Sequence, residues 1–490
     1  MTTNRVWVAN CILTFLALTL VLIQHWGTTF TNADDPWIAQ MSYGSGVVES
    51  SINMAKNQGR FWQVPIMIIA QWPYLFDSWK FVNAIKIIFN GLTFLCFVLF
   101  CSKLINKHTG LVIGLVWLAL IDINSSNYSP FHGYVLMFNL PFCFLFLSFY
   151  LFLNRLELKG DSAQAIVTPY LFFAIALLAY EPMFFYCLVF PALYLYKQTQ
   201  SNTALKFSLF INAKKFLTQN FALVAISMIY VFCYFGFRKF SGKNGGGLVS
   251  WSNLHEVMKT IFDFSVHGFY VQFKPFIGDA WESFTTTGLL LSALFAGLIT
   301  FGMFLILPRT EENLTLSYFY RKKSLVILGF FIFSPNLLFG LTEGYRKWAS
   351  HDPHYIGNYF SSFPLAMAIA FLVLSLVGGA KSKYENALFF FILYVIFCSA
   401  FGNYLRWSQL EETNRDESVL WQKAIRYLSQ QPYDHNRQTL ICATNAPEHV
   451  SADDKYWSQY LSKIFASNIR YLSNTVSPTS CNVMLNFKKF

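Results

Sequence analysis

Long runs of apolar residues without charge constrain this chain more than any other feature. Only 12% of its 490 residues are charged and 55% are hydrophobic, whereas about 25% of residues are charged in ordinary soluble domains. Several uncharged runs approach the roughly 20 residues that a helix needs to cross a bilayer. The pattern predicts an all-α polytopic membrane protein, and it excludes a disordered chain, a secreted disulfide framework and a nucleic-acid-binding module.

Each apolar run is expected to form a helix, because backbone polar groups in a bilayer must pair within their own segment and no alternating barrel pattern is visible. We predict about eleven transmembrane helices, of which the third, fifth and sixth are short. They cover residues 7–26, 81–101, 111–123, 134–153, 167–180, 183–196, 216–237, 288–307, 325–341, 355–377 and 387–404. The fifth and sixth runs form either one kinked helix or a tight hairpin, and Glu181-Pro182 between them favours the hairpin.

The distribution of Lys and Arg predicts the orientation of the chain. One set of alternate loops is rich in these residues, whereas the turns near residues 125–130 and at Glu181 contain none. The N terminus is therefore expected in the cytoplasm and the C terminus outside it. The same bias accounts for much of the formal net charge of +11, so this charge says little about partners.

The chain divides into a transmembrane body at residues 1–404, with a first outer loop at 27–80, and a small α/β appendage at 405–490. The connection at residues 238–284 is also expected outside the membrane. Two strand-like runs in the appendage lie next to Cys442 and Cys481. These two cysteines are candidates for a disulfide if the appendage lies in an oxidising compartment. The appendage sequence contains no evident catalytic cluster.

Two adjacent carboxylates, Asp34 and Asp35, stand in the first outer loop next to the predicted membrane surface. A carboxylate near low-dielectric hydrocarbon is poised to act as a general base, and two neighbours can hold a divalent cation. Alternatively, Asp35 caps a surface helix that begins at Pro36. The residues alone leave both interpretations open.

The strings Asn-Ala-Asp-Asp-Pro-Trp at residues 32–37 and Gln-Gly-Arg-Phe-Trp at 58–62 follow a membrane-anchoring helix. This arrangement resembles the GT-C superfamily of polytopic glycosyltransferases and, within it, bacterial O-antigen glucosyltransferases of the serotype-converting kind. The resemblance covers the first outer loop well, the body loosely and the appendage hardly at all. It implies a bacterial inner-membrane enzyme with a polyprenyl-phosphate sugar donor, and it makes Asp34 or Asp35 the base or a metal-site residue.

A polyprenyl donor cannot leave the bilayer, so its phosphate requires cations at the ends of the outer helices. Arg60 is the first candidate, because a guanidinium offers a planar fork to phosphate oxygens. Arg346 and Lys347 are positioned to neutralise the departing phosphate, and His351 or His354 to hydrogen-bond it. The alternatives for these residues are interface anchoring and helix capping, and for the two histidines also a metal site.

No charged residue is clearly central in a predicted span: Glu181 is a lone carboxylate on the outer side between two apolar helices, and Lys86 lies only about one and a half turns inside its helix. Burial of Glu181 without a partner would be costly, so it is expected to orient an acceptor sugar, to pair with Arg346 or to cap the helix that begins at Pro182. Lys86 is expected to extend outward to the interface.

Together these features predict a glycosyltransferase that moves a hexose, such as glucose, to a hydroxyl of a lipid-linked or surface glycan such as O-antigen, with inversion. No organic cofactor is implied, and a divalent metal is an option. One alternative is a flippase or other transporter of lipid-linked sugars, which needs a polar path through the bundle. Another is an O-antigen polymerase or ligase, which would not rely on Asp34 and Asp35.

Overall fold

We obtained the structure as a computed structural model. It describes residues 3–24, 26–28, 46–58, 60–75, 79–121, 135–158, 162–201, 216–217, 220–241, 253–273, 285–310, 318–342, 346, 354–377, 383–433, 437–446, 454–473 and 481–489.

These residues form α-helices, short 3-10 helices and one small sheet. The α-helices are α1 (Thr3–Ile23), α2 (Val47–Gln58), α3 (Val64–Gln71), α4 (Trp79–Leu104), α5 (Lys107–Leu120), α6 (Val135–Leu158), α7 (Ala163–Ala179), α8 (Val189–Ser201), α9 (Phe221–Ser241), α10 (Leu254–Phe273), α11 (Thr286–Thr310), α12 (Tyr318–Leu341), α13 (His354–Val377), α14 (Lys383–Ser429) and α15 (Asp454–Ile464). The 3-10 helices are Phe61–Gln63, Trp72–Leu75, Glu181–Leu188 and Phe487–Lys489, and the strands are β1 (Thr439–Thr444), β2 (Ile469–Leu472) and β3 (Val483–Asn486).

Among the described residues, five helices are long and apolar enough to cross a membrane, and five shorter helices are apolar. The long ones are Arg5–Ile23, Trp79–Leu104, Leu136–Glu157, Thr286–Ile306 and Ala387–Ser429. The chain breaks where Glu181-Pro182 predicts a break, because α7 ends at Ala179, Tyr180 is extended and a 3-10 helix begins at Glu181. The number of eleven crossings stays a prediction.

A layer of aromatic rings fills the centre of the helical bundle. Phe97 of α4 lies 5.1 Å from Phe146 of α6 and 5.0 Å from Phe363 of α13, between ring centroids. Trp117 of α5 stacks on Phe363 at 5.2 Å. All four side chains are buried, so four helices meet here in dry, edge-to-face and stacked contacts.

A polar column occupies the bundle between this layer and the end at which α1 finishes and α4 begins, which we call the site end. Four buried residues of α4 at spacings of three and four share one face of the helix: Asn83, Lys86, Asn90 and Thr93. Asn139 of α6 donates from Nδ2 to Asn90 Oδ1 at 2.7 Å, and its carbonyl accepts from Thr93 Oγ1 at 3.0 Å. The prediction that Lys86 extends outward is wrong, because its side chain faces this column and is 4% exposed.

The region at residues 238–284, expected to lie outside the membrane, contains the helix α10, which packs between α12 and α13. Ser265 of α10 accepts a hydrogen bond from Asn336 Nδ2 of α12 at 2.8 Å. The two helices approach closely because Gly340 lacks a Cβ: a Cβ there would lie 2.8 Å from the carbonyl oxygen of Val257. Helix α10 carries an apolar face, with Val257 and Ile261 buried. The location of this region outside the membrane stays a prediction.

The appendage is built on the helix α14, which is 47 residues long and continues unbroken past the last predicted crossing to Ser429. Its strands form a parallel sheet in the order β2-β1-β3. Trp421 of α14 stacks on Trp457 of α15 with ring centroids 3.6 Å apart. A disulfide joins Cys442 of β1 to Cys481, which precedes β3. Tyr74 and Val82 share the core of the appendage, so this core also includes residues from the start of α4 and the segment before it.

The close approach of α10 and α12 predicts that Gly340→Ala destabilises the protein by about 1–3 kcal/mol, because the added methyl meets backbone. The matched control is Gly329→Ala in the same helix, where a Cβ has no neighbour within 4 Å. This control should stabilise by up to about 1 kcal/mol through helix propensity. Thermal unfolding of the two variants in detergent measures both effects. Equal melting temperatures would contradict the packing described for α10.

Candidate functional site

A local helix boundary fixes the backbone of Arg60. The Arg60 amide donates to the carbonyl of Ala55 at 2.8 Å, which finishes α2, and the Arg60 carbonyl accepts from the Gln63 amide at 2.9 Å, which starts the next 3-10 helix. The Arg60 side chain therefore leaves the chain at a corner. Glu181 occupies a second corner, between extended Tyr180 and Pro182.

The two corners meet in a buried ion pair. Arg60 Nε lies 2.6 Å from Glu181 Oε1, with the side chains only 12% and 4% exposed. The other carboxylate oxygen, Oε2, accepts from Gln63 Nε2 at 3.1 Å. Charges taken out of water persist only where partners and hydrogen bonds offset the desolvation penalty. Glu181 thus fixes the orientation of the guanidinium and ties the first outer loop to the break after α7.

Arg346, the sequence-predicted partner of Glu181, lies just beyond the end of α12. Its amide donates to the carbonyl of Thr342 at 3.1 Å, and its Nη1 donates to the carbonyl of Gly340 at 3.3 Å. A cation at this position is favoured by the partial negative charge of a helix C terminus. The partner that the structure gives to Glu181 is Arg60.

Trp62 packs against α9 beside the ion pair. Its ring centroid lies 5.9 Å from that of Tyr230 and 5.5 Å from that of Tyr234. The buried indole Nε1 of Trp62 and the buried Oε1 of Gln63 have no hydrogen-bond partner within the described structure. Buried polar atoms are rarely left unpaired, so a donor and an acceptor are both placed where a bound molecule would satisfy them.

An apolar cleft of about 210 Å³ adjoins the ion pair. It lies between the 3-10 helix at Glu181, α9 and α12, and its lining includes Glu181, Phe184, Tyr230, Tyr234, Phe235 and Leu338. Phe235 is 57% exposed and its α9 neighbour Phe232 is 80% exposed. The cleft therefore combines a carboxylate at one wall with an aromatic rim on the outer surface of the bundle.

Several predicted site residues cannot be placed. Asp34, Asp35, Lys347 and His351 lie outside the described residues, and His354 is the first residue of α13 with its side chain outside them. In the parts of the chain that the structure describes, no group of three or more His, Cys, Asp or Glu side chains is arranged to hold a metal. The structure therefore brings together Arg60 and Glu181 from the predicted set.

Three residues of the site were missed or misread in the sequence. The sequence assigns no role to Gln63 and none to Trp62 beyond the string at residues 58–62, and it predicts that Lys86 points outward. A signal was available for Lys86, because its spacing from Asn83 and Asn90 predicts one polar helix face. No comparable signal existed for Gln63, whose role follows from Glu181 of a distant segment.

No protein-family model and no curated protein sequence matches the chain. Among solved structures, an oligosaccharyltransferase from Archaeoglobus fulgidus in the apo form is 11% identical at a TM-score of 0.41, over 96% of this chain and 65% of that one. The same enzyme in complex with Zn and sulfate is 11% identical at a TM-score of 0.41, over 94% and 62% of the two chains. The chain thus spans less than two thirds of the length of that enzyme.

A third solved structure is ArnT from Cupriavidus metallidurans bound to undecaprenyl phosphate. It is 11% identical to this chain at a TM-score of 0.41, and the alignment covers all of this chain and 91% of ArnT.

The buried ion pair predicts strong non-additivity between its two residues. Arg60→Met leaves the Glu181 carboxylate buried without its cation and should cost about 3–5 kcal/mol, as should Glu181→Leu for the opposite reason. The double change Arg60→Met with Glu181→Leu removes both charges and should recover most of that loss. Thermal unfolding of the four proteins in detergent closes the cycle. Additive losses would show that the two charges do not depend on each other.

Proposed function

We propose that the chain is a membrane glycosyltransferase of the GT-C type that transfers a hexose, such as glucose, from a polyprenyl phosphate to a hydroxyl of a lipid-linked or surface glycan. The site end of the bundle would then face the outside of a bacterial inner membrane. One observation carries this proposal. A guanidinium oriented by a buried carboxylate and an unpartnered indole N–H stand beside an apolar cleft.

The parts of this site match the parts of a lipid-phosphate sugar. The aromatic rim and the apolar cleft suit a hydrocarbon chain that stays in the bilayer. Phosphate is bound well by guanidinium and by N–H donors, and both gain strength in a dry site. Because Glu181 holds the guanidinium through Nε, Arg60 is pre-oriented and little side-chain entropy remains to be lost on binding.

The proposed reaction is a single displacement at the anomeric carbon. Asp34 or Asp35 accepts the proton of the acceptor hydroxyl, whose oxygen attacks from the face opposite the phosphate. The new glycosidic bond forms as the bond between the anomeric carbon and the phosphate oxygen breaks, with inversion. The bonding electrons leave with the phosphate, whose charge Arg60, with Arg346 or Lys347, stabilises. His351 or His354 would hydrogen-bond the same phosphate.

Lys86 is a further cation for the anionic end of the donor or the product. Lys86 is buried and places its positive charge within the polar column. It lies on the polar face of α4, one turn below Asn83, whose Nδ2 donates to the carbonyl of Thr28 at 2.7 Å. Thr28 is the last described residue before the loop that contains Asp34 and Asp35. The column thus begins at the residue from which this loop continues in the sequence.

The transporter alternative requires a polar path through the whole bundle. The polar column of α4 ends at Thr93, and the next buried residues on α4 are Phe94 and Phe97. The aromatic layer around Phe97 then closes the bundle toward its other end. Polar groups at one end of the bundle, with an apolar aromatic layer behind them, favour an enzyme over a transporter.

Two features of the proposal go beyond the ion pair and its cleft. A divalent ion held by Asp34 and Asp35 is one of them, since two neighbouring carboxylates suit Mg²⁺ or Mn²⁺. The identity of the acceptor, O-antigen in the resemblance, is the other. A polymerase or ligase would share the arginines and would not require the two aspartates.

The role of the aspartates predicts a loss of transfer in Asp34→Asn or Asp35→Asn. Removal of the general base should lower kcat by at least about a hundredfold, with folding unchanged. The measurement is transfer of radiolabelled hexose from a short-chain polyprenyl phosphate by the purified protein. Transfer that survives both single changes and the double change would favour a polymerase or transporter.

The unpartnered indole predicts a specific effect of Trp62→Phe. The ring contacts with Tyr230 and Tyr234 remain and only the N–H donor is lost, so donor binding should weaken about ten- to hundredfold. The matched control is Trp72→Phe, at a tryptophan 45% exposed on the segment before α4. The KM for the polyprenyl donor, measured for both variants, separates them. An unchanged KM in Trp62→Phe would remove the indole from the phosphate site.

A further inference from the structure

The small sheet of the appendage has a topological switch point. The chain passes from β1 through α15 to β2 on one side, and then crosses to β3 on the other side of β1. All strand pairs are parallel. In open parallel sheets the loops leave the carboxyl ends of such strands in opposite directions, and the crevice between them is where ligands bind. Here that crevice lies between the carboxyl ends of β1 and β3.

The residues at this crevice are polar and basic. Asn445 directly follows β1, and Asn486 is the last residue of β3. Asn445 Nδ2 donates to Asn486 Oδ1 at 3.4 Å, and the Lys488 amide donates to the same oxygen at 3.1 Å. Asn445, Lys488 and Lys489 are exposed. Two asparagines and two exposed lysines thus lie at or directly after the carboxyl ends of β1 and β3.

Asn445 has a backbone conformation that costs free energy. Its φ is +54°, in the left-handed region that residues other than glycine rarely adopt, although asparagine tolerates it better than most. Such positions concentrate at functional sites. Glycine would adopt this φ at a lower cost, so what asparagine adds at this position is its side-chain amide.

The crevice points back along α14 toward the bundle. Phe487, next to Asn486, contacts Trp421 with ring centroids 4.8 Å apart. At the opposite edge of the sheet, Phe465 stacks at 5.1 Å on Tyr433, which follows the far end of α14. Because α14 runs out of the bundle toward Tyr433, the carboxyl edge of the sheet lies on the bundle side.

The crevice is also pre-formed. The disulfide between Cys442 and Cys481 joins β1 to the start of β3, and the Leu440 amide donates to Asn482 Oδ1 at 2.8 Å. The acidic residue Asp454, at the same edge but on the β2 side, is occupied as an acceptor for the Ser473 amide at 2.9 Å. The β1–β3 side therefore has a positive balance in the described residues.

We propose that the crevice formed by Asn445, Asn486, Lys488 and Lys489 is a binding site for a hydroxyl-rich, negatively charged glycan. Asparagine amides both donate to and accept from sugar hydroxyls, and the two lysines attract a carboxylate or phosphate on the sugar chain. The site faces the bundle and would hold the acceptor for transfer. This last step rests on the proposed function, whereas glycan binding itself does not.

The test is binding of fluorescently labelled acidic oligosaccharides, released from the surface polysaccharide of the organism that encodes the chain, to the full-length protein in nanodiscs. Asn445→Gly, which keeps the backbone conformation and removes the amide, combined with Asn486→Ala should weaken binding about tenfold or more. Lys488→Gln with Lys489→Gln should weaken it similarly and remove most of its salt dependence.

Matched controls lie at the opposite edge of the sheet. Asn468→Ala and Lys463→Gln change exposed residues of the same types and should bind the glycan as the unchanged protein does. Wild-type affinity in the four crevice substitutions would overturn the proposal. A second result would also overturn it. If the protein binds vesicles containing phosphatidylglycerol, and the lysine variants lose this binding but still bind the glycan, then the lysines contact lipid rather than glycan.

Two outcomes separate this site from the proposed reaction. Asp34→Asn and Asp35→Asn proteins should bind the glycan normally although they transfer no sugar. If the unchanged protein binds the glycan but transfers no sugar, the crevice stands and the proposed enzyme does not. Normal transfer with an unchanged KM for the acceptor in the Asn445→Gly, Asn486→Ala protein would leave the proposed enzyme standing and remove the crevice as its acceptor site.

Discussion

The buried ion pair between Arg60 and Glu181 is the interaction on which the geometry of the site depends. It joins a corner of the first outer loop to the corner that breaks α7 from the next helical segment. Because neither charge is stable alone in a dry environment, the two corners are held together whenever the protein is folded. The indole of Trp62 and the aromatic wall of the cleft take their positions from that connection.

Much of the helical architecture follows from local chemistry, and the sequence is a good guide to it. Uncharged apolar runs form helices, and Glu181-Pro182 stops one of them, since proline removes a donor and clashes with the preceding turn. The runs beside Cys442 and Cys481 form strands β1 and β3. The pairing of Arg60 with Glu181 cannot be predicted from the apolar runs or the strand-like runs, because it depends on how distant segments pack.

Other differences have equally specific causes. Strand β2 was not predicted because Arg470 interrupts its short apolar run, and it gains its stability from pairing with β1. Helix α14 extends past Tyr404 although its sequence becomes polar, because a helix in water requires one apolar face rather than apolar residues throughout. The prediction that Lys86 points outward was wrong because it rested on the short distance of Lys86 from the helix end. It did not take into account the polar helix face that Lys86 shares with Asn83.

The appendage packs against the bundle and shares residues with it. A boundary at residue 404 falls inside α14, and the residues beyond it still belong to the bundle: Trp407 is fully buried in the bundle core, and its Nε1 donates to Glu411 at 3.4 Å. Val82 belongs to the appendage core, and the next residue, Asn83, begins the polar column. A displacement of the appendage would therefore shift the first turn of α4. Because the polar column with Lys86 begins directly after that turn, packing of the appendage fixes the position of its sheet relative to the polar column.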